Sequence, residues 1–232
     1  MKAVCFTLFL SFALAPPAFA ASRPVTFGSF DGTQLSAILY EPSSRPAPGV
    51  VLVHMLGRSK DDWRNIAERL EDAGIMVLAL DLRGHGRSSG SMAMLPPMVN
   101  DVASAVAWLA ARPNARPGGI AIVGASLGAN LAALAAADLP TVHAIALVSP
   151  SLDYRGLRLD AATMKKIGDR PVMMMASVHD PYALRSIREL MTEGNGREQR
   201  LSTAVAHGTN LLAADSDLSR GLVEWLRRVL GF

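Results

Sequence analysis

The stretch that most restricts the fold of this chain is 118–130. Residues 120–123 are an unbroken apolar run, Gly124-Ala125-Ser126-Leu127-Gly128 follows at once, and the alanine-rich segment 129–137 comes next. A short apolar run bounded by glycine reads as a fully buried strand, and alanine is the strongest helix former. The pattern therefore predicts strand, sharp turn, helix. In that setting a Gly-x-Ser-x-Gly turn lifts its serine out of the sheet, and the two glycines leave it room. Ser126 then heads a helix, where unpaired N–H groups and the helix dipole favour negative charge. Acyl transfer needs an oxyanion stabilised in such a place.

The rest of the chain alternates in the same way. Residues 24–30 and 33–40 read as strands joined at Asp31-Gly32, a hairpin signal, and the proline- and serine-rich segment 41–48 ends the hairpin. Residues 50–53, 75–80, 142–148 and 172–177 are apolar runs of the buried-strand type, and 199–206 reads as a last strand. Helical spacing marks 61–73 (stopped by Gly74), 97–111, 182–191 and 215–230. Alternation of this kind predicts an α/β fold: a mostly parallel central sheet with helices on both faces and an N-terminal antiparallel hairpin. The 232 residues, half of them hydrophobic and 19% charged, suit one domain with a full core over 21–232. A formal net charge of +3, spread along the chain, gives no reason to expect a nucleic-acid partner.

Residues 1–20 read separately. Lys2 is a short positive region, 4–14 an apolar region too short to span a bilayer comfortably, and Ala18-Phe19-Ala20 a cleavage site. The expectation is a signal peptide and an exported protein, periplasmic or secreted, with no membrane span after cleavage. Cys5, the single cysteine, would leave with the signal, and neither a disulfide nor a thiol nucleophile would remain.

A serine hydroxyl needs a base, and the base needs a group to orient it. In a fold of this type the chain order is serine, acid, histidine. His207 lies just past the last expected strand, followed by Gly208, and is the expected base; His179 is its rival. Asp180, at the carboxyl end of the strand 172–177, is the expected acid, because functional groups in open α/β sheets gather at that edge. Asp153 and Asp169 are its rivals, and Asp169 sits before its strand. The oxyanion donors would be main-chain amides: Leu127 after the serine, and Met55 or, second, Leu56 in the loop after 50–53. No H-E-x-x-H, cysteine pair or carboxylate loop is present, so no metal and no cofactor are expected.

Taken together, His54-Met55-Leu56-Gly57, Asp81-Leu82-Arg83-Gly84-His85-Gly86-Arg87-Ser88, the serine turn, Asp180 and His207-Gly208 resemble the α/β-hydrolase superfamily. The likeness runs over about 24–230 and is nearest to small serine hydrolases of the dienelactone-hydrolase-like and serine-aminopeptidase-like groups. It implies a triad of Ser126, Asp180 and His207, and structural roles for Asp81 and His85. This chain departs from the pattern at Met55, where relatives often carry glycine. Dienelactone hydrolases proper use cysteine, so that activity is not implied.

Only about twenty residues, 149–170, occupy the place where many relatives insert a cap, so no large cap is expected. Arg155, Arg158, Lys165 and Lys166 lie there and would favour acidic or polar acyl substrates. The expected activity is hydrolysis of small carboxylic esters through an acyl-enzyme on Ser126. A peptidase or thioesterase would use the same residues, and a non-catalytic binding protein on this fold is the alternative of another class.

Overall fold

The computed structural model describes residues 22–192 and 194–231; the expected signal segment 1–20 lies outside the described residues. In chain order the elements are β1 (Arg23–Gly28), β2 (Gln34–Tyr40), β3 (Ala47–Val53), a 3-10 turn (Lys60–Trp63), α1 (Arg64–Asp72), β4 (Met76–Leu80) and α2 (Pro97–Ala110). They continue with β5 (Ala115–Ala125), α3 (Leu127–Asp138), β6 (Val142–Val148), β7 (Asp153–Tyr154), β8 (Leu157–Arg158) and α4 (Ala161–Ile167). β9 (Val172–Ser177), α5 (Pro181–Leu190), β10 (Arg197–Ser202), α6 (Thr209–Ala214) and α7 (Ser216–Val229) complete the domain.

Eight strands form one sheet in the order β1-β2-β4-β3-β5-β6-β9-β10. β1 pairs with β2, and β2 with β4, in antiparallel fashion; every other pair is parallel. Every residue of β3, β4 and β9 is buried, as strands covered on both faces require. Side chains alternate between the faces. Val51 and Val53 join the core packed by α2, α3, α4 and α5, whereas Val50 and Leu52 join the core packed by α1, α6 and α7. The expected class, a mostly parallel sheet between two helical layers with an N-terminal hairpin and no large cap, is the class observed.

The differences are local. The segment 149–170 folds as the β7–β8 hairpin and the short helix α4. β10 stops at Ser202, short of the expected 206, because the Ala206 amide turns back to the Ala204 carbonyl. That early stop carries the next residues over the sheet edge. The six-residue α6 was not expected; its start at Gly208 bends the chain around the base of the site.

Candidate active site

Ser126 joins β5 to α3 with φ 52° and ψ −117°, a left-handed conformation that L residues seldom adopt. Two facts hold it there. Its amide donates to the Val148 carbonyl at 2.8 Å, and α3 begins at the next residue. The flanking glycines are required by packing. A Cβ on Gly124 would lie 2.0 Å from the Gly128 carbonyl oxygen, and one on Gly128 would lie 2.3 Å from the Val53 carbonyl oxygen. Both obstacles are backbone, so neither position accepts a side chain without moving the sheet or the helix.

The loop after β10 brings His207 to this serine. The Ser126 hydroxyl donates to His207 Nε2 at 2.8 Å, and His207 Nδ1–H donates to Asp180 Oδ2 at 2.5 Å. The other oxygen of Asp180 accepts the Ala183 amide and caps α5, so one carboxylate fixes a helix and an imidazole together. A proton on Nδ1 leaves the Nε2 lone pair facing the serine, the arrangement a general base needs. Three of the expected residues are thus brought together. The rivals stand apart: Asp153 is paired with Arg158, His179 is exposed with its amide on the Ser177 hydroxyl, and Asp169 binds Asn195.

Hydroxyls that the sequence did not single out hold the histidine loop. Ser149, itself at φ 53° and buried, accepts the Gly208 amide at 3.0 Å. Ser177 donates to the Ala204 carbonyl, and Thr209 donates to Asp62. The positive φ that marks Ser149 is invisible in a sequence, and a lone serine after a strand is too common to stand out.

The loop after β3 is pinned to the loop after β4 at four points. His54 Nε2 accepts the Leu82 amide, His85 Nε2 accepts the Gly57 amide, and Asp81 accepts both the amide and the ammonium of Lys60. Each ring donates its Nδ1–H to a carbonyl, His54 to Met55 and His85 to Arg83. Both rings are therefore neutral acceptors at Nε2. Burial pushes the pKa of His54 down to about 4, and the nearby His85 adds to this. Between these clips the amides of Met55 and Leu56 have no acceptor among the described residues, and Leu127 at the head of α3 has none either. All three remain available as oxyanion donors. The Met55 side chain reaches over the histidine loop, where a Cβ on Gly208 would meet its Sδ at 2.6 Å.

Of the basic segment near the mouth, Arg158 is paired with Asp153 and Lys166 with Asp138, which removes half of its free charge. No group of three or more His, Cys, Asp or Glu side chains that could hold a metal occurs among the described residues.

An eight-stranded sheet of this order, with a serine raised between β5 and α3 and a histidine after the last strand, defines an α/β hydrolase. More narrowly, a family profile described as serine aminopeptidase, S33, matches residues 44–204, and the chain belongs to that family. It is 28% identical over 143 residues to a monoglyceride lipase homolog of Monkeypox virus, covering 60% of this chain and 52% of that protein. It is 31% identical over 169 residues to a polyketide transferase of Stachybotrys chlorohalonatus, covering 71% and 57%. The chain thus spans about half the length of these curated relatives. Among solved structures, a Pyrococcus furiosus esterase superposes with a TM-score of 0.79 at 18% identity, over 95% of this chain and 96% of that one. A dienelactone hydrolase from Anabaena variabilis gives 0.75 at 18%, over 90% and 97%. At such identity the likeness is one of fold.

Proposed function

We propose that this protein is a serine hydrolase of carboxylic esters, exported through its N-terminal segment. Ser126 Oγ attacks the ester carbonyl while His207 Nε2 takes its proton. The tetrahedral oxyanion is held by the Leu127 amide and by Met55 or Leu56. His207 then gives the proton to the departing alkoxide, and water repeats the sequence to release the acid. Asp180 keeps the imidazole in the tautomer that makes both transfers possible. The observation that carries this reading is the chain of two hydrogen bonds from Ser126 through His207 to Asp180, 2.8 and 2.5 Å long.

An ester is favoured over an aminopeptide by the state of the acids around the site. A substrate with a free N-terminal ammonium needs a carboxylate to meet it, and Asp62, the acid bonded to Thr209 of the histidine loop, is tied to Arg58.

A fluorophosphonate probe tests the mechanism. The expected result is a mass adduct on Ser126, absent in Ser126→Ala, and hydrolysis of p-nitrophenyl esters reduced at least about 1,000-fold in both Ser126→Ala and His207→Ala. Folded protein that takes no adduct would leave only a binding role. Export is tested by the N-terminus of protein recovered outside the cytoplasm, which should begin near Ala21.

A further inference from the structure

The large hydrophobic side chains that this protein leaves exposed are not scattered. Among the described residues they are Phe30, Met92, Met94, Val178, Tyr182, Leu201 and Val205. All but Leu201, on the edge strand β10, lie in or beside the loops at the carboxyl edge of the parallel strands, the edge where Ser126 stands. They form two corners. Phe30 is the tip of the β1–β2 hairpin, 70% exposed, and its amide donates to Ser104 of α2. Met92 and Met94 lie in the segment that runs from Gly90, packed on Thr33 of the same hairpin, to the start of α2. Across the sheet, Val178 and Tyr182 bracket Asp180, and Val205, 84% exposed, stands two residues before His207. The sheet order places the first corner beyond β4 and the second at β9 and β10, with the β5 elbow between them.

Charged groups surround these corners. Three acids of this edge are engaged, Asp31 by Arg83, Asp153 by Arg158 and Asp180 by His207, while Asp160 caps α4 and Asp61 lies in one cleft with Arg87. Among the described residues Arg155 is exposed and forms no ion pair, and neither does Arg87, beside Asp61 in its cleft. Arg155 shares the β7–β8 turn with Gly156, both at positive φ, a turn that favours glycine or asparagine at each central position. A long cation is thus held out from the edge in a conformation that L side chains rarely take, its guanidinium over the Tyr154 ring.

We propose that this edge docks on an anionic lipid–water interface. Apolar side chains at two separated corners fit a planar apolar phase, where they bury together only if the edge lies flat, and the unpaired guanidiniums complement anionic headgroups. The docking stands apart from the serine chemistry. Its use, delivery of esters dissolved in the interface to Ser126 without a cap in the way, rests on the function proposed above.

The test is flotation of Ser126→Ala protein with phosphatidylcholine vesicles made with and without phosphatidylglycerol. The parent should float with the anionic vesicles and release as salt rises. Phe30→Ser/Met94→Ser should weaken partitioning at least about 10-fold, and Arg155→Gly, which suits the turn, should weaken it about 5-fold and flatten the salt dependence. The same substitutions on the Ser126 background should hydrolyse a soluble, uncharged short-chain ester at the parental rate, since none belongs to the hydrogen-bond chain of Ser126, His207 and Asp180. A parent that does not float, or variants that float equally, would overturn the docking and leave the hydrolase intact. Flotation without hydrolysis of any ester would overturn the hydrolase and leave the docking.

Discussion

Ser149 and Gly208 decide where the imidazole of His207 stands, through the hydrogen bond between them. Ser149→Ala removes the acceptor of the Gly208 amide, and a buried N–H left without a partner costs about 1–3 kcal/mol. The loop relaxes, so kcat of ester hydrolysis should fall about 10-fold with KM nearly unchanged, because positioning of the base matters only as the barrier is climbed. An unchanged kcat would mean that Thr209 and Ser177 hold the loop without help. Gly208→Ala meets two obstacles, a φ of 59° and the Met55 Sδ 2.6 Å from the new Cβ. The thioether is the end of a flexible side chain, and the backbone angle is not. Steady-state kinetics on Gly208→Ala with and without Met55→Ala separates them. Partial recovery of the lost kcat/KM in the double variant is expected, with the remainder due to φ. No recovery would place the whole cost in the backbone.

At the scale of elements, the loops after β3 and β4 act as one body because neutral histidines accept amides across them. Neutrality has a pH consequence. His54 titrates at about 4 in the folded protein and near its ordinary 6.5 when unfolded. Between these values the unfolded chain binds a proton that the folded one does not. Stability contributed above about pH 6.5 is therefore lost as pH falls toward 4, by roughly 3 kcal/mol in all. Thermal melts at pH 7 and pH 4.5 should show a smaller difference in His54→Asn, which does not titrate. An equal difference would assign the acid sensitivity to other groups. The same loops mark the limit of what the sequence tells. Buried parallel strands and the amphipathic α7 are legible because apolar runs and a one-sided stripe have few other physical explanations. Ser126, Asp180 and His207 are legible because a strand end and a turn restrict where each can stand. The Met55 and Leu56 amides are not separable in sequence, since main chain carries no residue code. The pairs of residues in β7 and β8, and the short α4 and α6, lack the length for a period to show. Their positions follow from contacts distant in sequence, such as the Asn130 side-chain amide donating to the carbonyls of Ser151 and Leu157.

For the whole molecule, the candidate nucleophile and an anchoring arginine fall at opposite ends of the same helix. α3 carries Ser126 at its N-terminus, and near its C-terminus the Ala136 and Leu139 carbonyls accept from Arg170. The same guanidinium donates to Val142, where β6 begins, and to Ile167 and Lys166, where α4 ends. One side chain thus bonds carbonyls of two helix ends and a strand, and places a cation where the α3 dipole is negative. Burial lowers the pKa of Arg170, yet guanidinium stays charged across the working pH range. Arg170→Met keeps the stem and strips every donor, leaving the Lys166 and Ile167 carbonyls short of a partner while those of Ala136 and Leu139 keep only the Leu139 and Val142 amides. A loss of about 2–4 kcal/mol follows, which for a domain of this size lowers Tm by about 5–15 °C. Arg170→Lys should recover little, because an ammonium cannot fan planar donors toward three elements. The serine stands a full helix away, and its geometry is set by Gly124, Gly128 and the Val148 carbonyl. Ester hydrolysis at 25 °C should therefore be within about two-fold of the parent in both variants while calorimetry records the fall in Tm. A matching loss of kcat well below Tm would mean that α3 transmits strain along its length, and that the sheet edge bearing the chemistry is not independent of the edge that anchors it.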